Sequence, residues 1–212
     1  MSAAMIVAID GPAGAGKSSV ARALADRLGF HYLDTGAMYR ALTWLALRDG
    51  VALDDGPGLA ALARQRPVEF GDQDAVSIAG VDVTRAIRAP EIDAAVPVVA
   101  RHAEVRDVMR ERQRLLGHAG DSVIEGRDIG VVVVPDAEVK VWLVADPAVR
   151  VRRRHAERAG IDEEALAEDL LRRDERDAAN THRADDAIEV DTTDLTLDEV
   201  VDRIAGLVGV RR

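Results

Sequence analysis

Residues 9–19 of the chain read Ile9-Asp10-Gly11-Pro12-Ala13-Gly14-Ala15-Gly16-Lys17-Ser18-Ser19. The run contains Gly-x-x-x-x-Gly-Lys-Ser, the spacing of a phosphate-binding loop. Its glycines let the backbone wrap closely around a phosphate, so that several N–H donors and the positive end of the following helix converge on the anion. The lysine adds a mobile charge for the outer phosphates. The stretch therefore predicts a nucleoside triphosphate site and disfavours the alternative, a glycine-rich turn without a ligand.

The scarcity of lysine strengthens this interpretation. The chain contains 28 lysines and arginines together, but only Lys17 and Lys140 are lysine, and one of them stands in the loop. Random flanking residues would complete the pattern around either lysine only about once in a thousand such chains. A chance match is therefore a poor explanation of the motif.

The residues on both sides of the loop predict an α/β fold. The pattern indicates a short buried strand over residues 5–9, a helix over 18–28 and a second strand that ends at Asp34. A strand, a loop, a helix and a strand with short connections begin a right-handed parallel unit. Later apolar runs suit core strands at 122–125, 139–145 and 188–190, and amphipathic spacing predicts helices over 37–47 and 197–208.

Two segments differ in character from this core. Residues 68–83 alternate apolar and polar side chains with turn signals between them, which predicts a small antiparallel β insertion, followed by a helix over 91–116 that is interrupted near Pro97. An arginine-rich helix is predicted to begin at Asp146 and to resume over 162–179. Its cations suit either a solvated face or a mobile lid that closes over a triphosphate and excludes water.

Composition excludes several classes of function. The formal charge of −10 and pI near 5 disfavour a duplex nucleic acid partner, and 3% aromatic residues leave no stacking platform for single strands. The chain has no cysteine, which excludes disulfides and thiolate sites. No run approaches the roughly 20 apolar residues of a membrane span and no leader is recognised, so a cytoplasmic location without membrane contact is expected. We also expect a monomer, because no long apolar stripe demands a partner.

Acidic and basic side chains follow two of the predicted strands. Residues 34–40 read Asp-Thr-Gly-Ala-Met-Tyr-Arg, and residues 125–130 read Glu-Gly-Arg-Asp-Ile-Gly. Open α/β sheets bind ligands at the carboxyl ends of their strands, so both segments are candidate binding sites. A guanine-specific Asn-Lys-x-Asp motif is absent, because neither lysine follows an asparagine. A regulatory GTPase is therefore disfavoured.

These segments resemble the bacterial-type cytidylate kinases over residues 5–208. The resemblance is also carried by Asp10-Gly-Pro-x-Gly-x-Gly-Lys, Gly80-Val-Asp-Val-Thr84, Ile87-Arg88, Val105-Arg106, Gln113-Arg114, Arg173-Asp174 and Arg176-Asp177. It implies transfer of the ATP γ-phosphoryl group to CMP or dCMP with Mg²⁺. It further implies a single P-loop kinase domain over 1–212: a parallel sheet core flanked by helices (about 1–50, 117–150 and 181–212), a small antiparallel nucleoside monophosphate-binding insertion (about 51–116) and a helical lid (about 151–180).

The resemblance also implies roles for individual residues. Catalysis is assigned to Lys17, Arg127, Asp128 and Arg153, and Ser18 is the candidate Mg²⁺ ligand, with a helix-cap hydroxyl as the alternative. ATP binding is assigned to Gly11, Pro12, Ala13, Gly14, Ala15, Gly16, Lys17, Ser18, Ser19, Arg150 and Arg154. CMP binding is assigned to Asp34, Thr35, Tyr39, Arg40, Arg106, Gly126, Arg127, Asp128, Arg173 and Asp177. Within that set, Arg40 and Arg127 hold the acceptor phosphate, and Asp128 accepts a hydrogen bond from the cytosine amino group.

The chain departs from the family pattern at two positions. Pro97 stands where relatives commonly have a serine that helps to hold the base, and Asn180 stands at the usual place of an arginine, for which Arg183 is a possible substitute. The first departure keeps open a broader pyrimidine kinase that also accepts UMP. A P-loop ATPase or switch is a further alternative, and it would hydrolyse ATP slowly and without regard to CMP.

Overall fold

The computed structural model describes residues 4–71, 74–157, 162–178 and 181–211. The chain forms two compact units. Unit 1 comprises Met1–Tyr32 and Gly117–Arg212, and unit 2 comprises Leu33–Leu116. The helices and strands follow in chain order: β1 (Ile6–Asp10), α1 (Lys17–Leu28), β2 (His31–Asp34), α2 (Thr35–Asp49), α3 (Gly56–Gln65), β3 (Val68–Phe70), β4 (Val76–Ile78), β5 (Val81–Asp82), α4 (Pro90–Ala100), α5 (Ala103–Gly117), β6 (Ser122–Glu125), β7 (Val139–Val144), α6 (Pro147–Glu157), α7 (Glu163–Asp177), β8 (Ile188–Asp191) and α8 (Leu197–Arg211).

Unit 1 is built on a parallel sheet with the order β2-β6-β1-β7-β8. The pairs β1–β6, β1–β7 and β7–β8 are parallel, and every residue of β1 and β6 is buried. Parallel strands that are covered on both faces have such continuous apolar runs. The core contains side chains from the strands and from α1 and α8, among them Ile9, Leu24, Val141 and Ile204. The loop after β1 therefore starts from the rigid centre of the sheet.

Unit 2 combines helices with a three-stranded antiparallel sheet. Strand β4 pairs with β3 and with β5, and Val68 lies opposite Ile78. Helices α2, α3, α4 and α5 belong to the same unit. The predicted α/β architecture, a parallel sheet core flanked by helices with a small antiparallel β insertion, is confirmed. The division into a core, a nucleoside monophosphate-binding insertion and a lid stays a prediction.

Helix α3 was not predicted from the sequence. Its glycines Gly56 and Gly58 are poor helix formers. The helix forms because the Asp55 side chain accepts the Gly58 N–H at 2.9 Å and because Leu59 and Ala63, one turn apart, are buried. Burial of one apolar face therefore outweighs the low intrinsic propensity of the first turn.

The predicted interruption near Pro97 is wrong. Pro97 stands inside α4, and the break between α4 and α5 falls at residues 101–102. Helix α4 continues through Pro97 although a proline lacks the N–H and crowds the carbonyl one turn before it. His102, in contrast, binds the carbonyl of Leu53 through Nε2 at 2.9 Å, and its own carbonyl starts the next helix by accepting the Arg106 N–H. The chain turns where this side-chain contact anchors it.

Among the described helices, none combines the length and hydrophobicity that crossing a bilayer requires.

Replacing Ile204 by alanine tests the assignment of the core. Ile204 is 0% exposed in the cluster of unit 1, so Ile204→Ala should lower the free energy of unfolding by about 2–5 kcal/mol. The control is Val210→Ala on the same helix, where the side chain is 87% exposed and the change should stay within about 0.5 kcal/mol. Urea denaturation measures both, and equal losses for the two variants would contradict this core.

Candidate functional site

The phosphate loop (residues 11–16) joins the end of β1 to the start of α1 in unit 1. Gly11 approaches β7 so closely that an added Cβ would lie 2.3 Å from the carbonyl oxygen of Leu143. Gly16 caps α1 in the left-handed conformation with φ 90°. Both positions require glycine for a physical reason. The loop therefore has the strand–loop–helix geometry that an anion site needs.

Lys17 and Ser18 open the first turn of α1. The Lys17 side chain is 7% exposed, and its Nζ donates to the Pro12 carbonyl at 2.8 Å, so the ammonium group folds back over the loop. Ser18 Oγ donates to Glu125 Oε2 at 3.0 Å, whereas Tyr32 Oη donates to the other carboxylate oxygen at 2.5 Å. The Ser18 hydroxyl therefore contacts the end of β6, and its role as a magnesium ligand stays a prediction.

Glu125 opens a segment that the sequence predicted as a candidate binding site, but the residue was assigned no role of its own. Glu125 is 4% exposed at the carboxyl end of β6, the end at which open α/β sheets bind ligands. Oxygen ligands are those that Mg²⁺ prefers, so the donor set of Ser18 and Glu125 fits this ion. No group of three or more His, Cys, Asp or Glu that could hold a metal occurs among the described residues. A magnesium ion here would therefore depend on phosphate oxygens and water as well.

The segment that follows β6 (residues 126–130) lies against the phosphate loop. The Gly126 N–H donates to the Ile9 carbonyl at 3.0 Å, and Arg127 Nη1 donates to the Gly11 carbonyl at 3.3 Å. Arg127 Nε also donates to Asp177 on α7 at 3.0 Å. The structure therefore brings together three of the predicted residues, Gly126, Arg127 and Asp177. Arg173 lies on α7, and its side chain is outside the described residues.

Asp10 is a second residue that the sequence reasoning did not assign. Its carboxylate is 4% exposed and accepts the N–H groups of Ile129 and Gly130, each at 2.9 Å. Burial raises the pKa of Asp10 to about 6 from its usual 3.8, against the lowering effect of these two hydrogen bonds. The charge of Asp128 raises this pKa further and that of Lys17 lowers it. A strand-terminal aspartate directly before the glycine loop was the available signal.

Helices α6 and α7 contribute arginines and a carboxylate to the loop. Arg150 is buried and donates through Nη1 to the Ala13 carbonyl at 3.0 Å and to Asp174 at 2.5 Å. Asp174 in turn accepts the Ala13 N–H at 3.3 Å, which the sequence reasoning did not anticipate. Arg154 lies half-buried on the same helix as Arg150. The ion pair therefore joins both helices to the phosphate loop.

Arg153 is held by Thr192, the residue that follows β8. Its guanidinium donates to Thr192 Oγ1 at 2.9 Å and to the Thr192 carbonyl at 2.6 Å. The Thr192 hydroxyl also lies 3.4 Å from the Ala15 carbonyl, so this contact reaches the phosphate loop. Asn180 is outside the described residues, and its possible substitute Arg183 pairs with Glu189 at 2.5 Å.

The remaining predicted residues lie in unit 2. Asp34 caps α2 by accepting the Ala37 N–H at 2.8 Å, and it also accepts from Arg88 at 2.8 Å. Arg40 Nε donates to Asp93 at 3.1 Å. The sequence reasoning assigned no role to Arg88 or Asp93, although Ile87-Arg88 was among the motifs. The other members of this set are Thr35, which is buried at the start of α2, and the half-buried Tyr39 and Arg106.

Comparisons with known proteins find relatives along nearly the whole chain. A family model described as cytidylate kinase matches residues 7–209. The cytidylate kinase of Geobacillus sp. (strain WCH70) is 48% identical and the alignment covers 97% of this chain and 96% of the relative. That of Bacillus subtilis (strain 168) is 44% identical, with 93% of each chain covered. A shikimate kinase structure from Bacteroides thetaiotaomicron covers 98% of this chain and 99% of its own at a TM-score of 0.50 and 16% identity, which shows a shared fold alone.

Replacing Asp10 by asparagine tests the consequence of the raised pKa. Because the folded state binds the Asp10 proton more tightly than the unfolded state does, the stabilisation from protonation is fully present below about pH 4 and is lost as pH rises through about 6. The free energy of unfolding of the wild type, relative to that of Asp10→Asn, should therefore fall across this window. Urea titrations at several pH values measure the difference, and parallel pH profiles would contradict the assignment.

Proposed function

The chain belongs to the cytidylate kinase family, and from this premise we propose that it transfers the γ-phosphoryl group of ATP to CMP or dCMP, giving ADP and CDP or dCDP. The observation that carries the proposal is the contact of Arg127 Nη1 with the Gly11 carbonyl at 3.3 Å. This hydrogen bond joins Arg127, a cation suited to the phosphate of CMP, to the phosphate loop, which is suited to the phosphates of ATP. Phosphoryl transfer requires such positioning and charge neutralisation more than covalent chemistry.

The donor half of the reaction uses the phosphate loop and its neighbours. The backbone N–H groups of residues 11–16, with Lys17 and Ser19, bind the ATP phosphates. Ser18 would ligate Mg²⁺, and Glu125 would orient this hydroxyl. The 3.0 Å hydrogen bond between the two side chains supports this role. When bound, Mg²⁺ neutralises charge on the phosphate oxygens as the γ-phosphoryl group moves.

The arginines of α6 complete the donor half. Arg150 and Arg154 bind ATP phosphates, and Arg153 stabilises the charge on the transferring group. The contact of Arg150 with Ala13 and that of Arg153 with Thr192 support this assignment, because both partners lie at or beside the loop. Residues of about 151–180 act as a lid that keeps water from competing as the acceptor.

The acceptor half uses Arg127 and Asp128 in unit 1. The guanidinium fork of Arg127 holds the CMP phosphate, since its planar donors match two phosphate oxygens. Asp128 accepts a hydrogen bond from the cytosine amino group. Uracil has a carbonyl at that position, so two acceptors would meet and a buried polar group would lose its partner. The carboxylate therefore favours cytosine over uracil.

The ribose and the rest of the acceptor involve further residues. Asp177 binds ribose hydroxyls together with Arg173, and Gly126 lines the same segment. The 3.0 Å pair of Arg127 and Asp177 supports a common site within unit 1. The CMP contacts predicted in unit 2 stay predictions; they are Asp34, Thr35, Tyr39, Arg40 and Arg106. The monomeric state and the cytoplasmic location also stay predictions.

Initial rates of ADP formation from ATP and Mg²⁺ test the proposal. CMP, dCMP, UMP, dTMP, AMP and GMP are supplied separately, with a control that lacks an acceptor. The expected result is stimulation confined to CMP and dCMP. Equal stimulation by UMP would instead indicate a broader pyrimidine kinase, in line with Pro97 at the position of a base-binding serine. A rate that ignores every acceptor would contradict the kinase and favour a P-loop ATPase.

Replacing Asp128 by alanine tests base selection. Asp128→Ala should lower kcat/KM for CMP by about tenfold to a hundredfold and remove most of the discrimination against UMP, because the cytosine amino group loses its acceptor. The KM for ATP should change little. Asp136→Ala is the matched control, since that side chain is 67% exposed a few residues further along the chain. An equal rise in the KM for ATP would contradict the assignment.

A further inference from the structure

The buried carboxylate of Asp10 has no part in the proposed chemistry, yet both of its oxygens accept hydrogen bonds. Each of its oxygens accepts one backbone N–H, Oδ1 from Ile129 and Oδ2 from Gly130, both at 2.9 Å. The two donors directly follow Asp128 in the chain. The carboxylate therefore binds the backbone immediately after Asp128, the residue proposed to bind cytosine.

The backbone that Asp10 binds has an unusual conformation. Residues Ile129–Val133 form a π-helix, in which the Val134 N–H donates to the Ile129 carbonyl at 2.8 Å. The first N–H groups of any helix have no partner within the helix, and π-helices are rare and concentrate at functional sites. Asp10 satisfies two of these N–H groups. Its carboxylate thus allows the π-helix to begin directly after Asp128.

Asp128 is held from its other side as well. The Gly126 N–H donates to the Ile9 carbonyl at 3.0 Å, and Arg127 donates to the Gly11 carbonyl at 3.3 Å. The Asp128 carbonyl itself accepts the Val132 N–H at 2.8 Å. The backbone on both sides of Asp128 is therefore anchored to residues 9–11 at the end of β1.

The energetics argue that the carboxylate has a purpose beyond folding. Burial raises the pKa of Asp10, and the nearby charge of Asp128 raises it further, so the ionised group costs stability where it stands. Two carboxylates are kept close in spite of this repulsion. A group that costs stability and orders the backbone beside a binding residue is typical of a functional site.

We propose that Asp10 is a positioning residue for acceptor selection, which holds Asp128 at the cytosine edge through the N–H groups of Ile129 and Gly130. The inference rests on the proposed role of Asp128. The end of β1 then contributes to both substrate sites. Gly11 begins the phosphate loop, and Asp10 sets the geometry of the site for the cytosine base.

Steady-state kinetics of Asp10→Asn test this proposal. An asparagine keeps one acceptor oxygen and turns an NH₂ group toward the second N–H, so the Asp128 backbone loses one anchor. The KM for CMP should rise about tenfold and the ratio of kcat/KM for CMP to that for UMP should fall by a similar factor. The KM for ATP should change less than about threefold, because the loop N–H groups are untouched.

Glu138→Gln is the matched control. Glu138 accepts the Ile6 N–H at 2.8 Å at the other end of β1, so the variant makes the same chemical change to a carboxylate that binds a backbone amide away from Asp128. It should leave the CMP to UMP ratio unchanged. Equal loss of this ratio in both variants would show a general effect on the sheet and would overturn the proposal.

The outcomes separate this inference from the function on which it rests. If Asp128→Ala loses discrimination but Asp10→Asn keeps it, the inference fails and the role of Asp128 stands. If Asp128→Ala itself keeps discrimination, the role of Asp128 fails and the inference falls with it. A larger rise in the KM for ATP than for CMP in Asp10→Asn would assign Asp10 to the donor loop instead and overturn the proposal.

A second variant decides the question if Asp10→Asn does not fold. Asp10→Ser shortens the side chain and leaves one hydroxyl oxygen to accept an N–H, so at least one of the two anchors is lost. It should lower the CMP to UMP ratio in the same direction while the KM for ATP stays within about threefold. An unchanged ratio in a folded Asp10→Ser protein would overturn the proposal.

Discussion

The turn of the backbone at residues 9–11 is the constraint from which the site in unit 1 is built. The chain leaves the centre of the sheet against the Leu143 carbonyl, where only a residue without a Cβ fits. At this turn the Ile9 and Gly11 carbonyls and the Asp10 carboxylate all bind residues 126–130. One rigid corner therefore positions two loops at once. Because the corner is formed by the buried strand β1, its geometry has the stiffness of the core.

Paired charges orient two arginines beside the phosphate loop, Arg127 and Arg150. Arg127 donates to Asp177, and Arg150 donates to Asp174, so each guanidinium is held by a carboxylate of α7. Partly buried pairs of this kind contribute little net stability once the desolvation of both charges is counted. Their value lies in orientation, because an arginine with a defined geometry loses less entropy when it binds an anion. In this way a chain of net negative charge holds two cations against one loop.

The sequence by itself determined the fold class and the phosphate loop. The spacing of Gly11, Gly16 and Lys17 could be interpreted alone, because close backbone approach and a helix N-terminus are local properties of a short run of chain. Core strands were predicted for a similar reason, since their apolar runs are contiguous. Helix α3 was not predicted, because its stability comes from the burial of Leu59 and Ala63 and not from the helix propensity of its first residues.

Only the tertiary structure decided how distant polar groups are paired. Glu125 meets Ser18, Asp10 meets the amides of Ile129 and Gly130, and Asp174 meets Arg150, although the chain separates these partners by 107, 119, 120 and 24 positions. A carboxylate in a sequence carries no sign of which donor it will meet, because that choice depends on strand order and on the burial that makes an unpaired group costly. The motifs thus indicated the chemistry of the family, and the folded chain determined which polar side chains lie against the phosphate loop and the segment after β6.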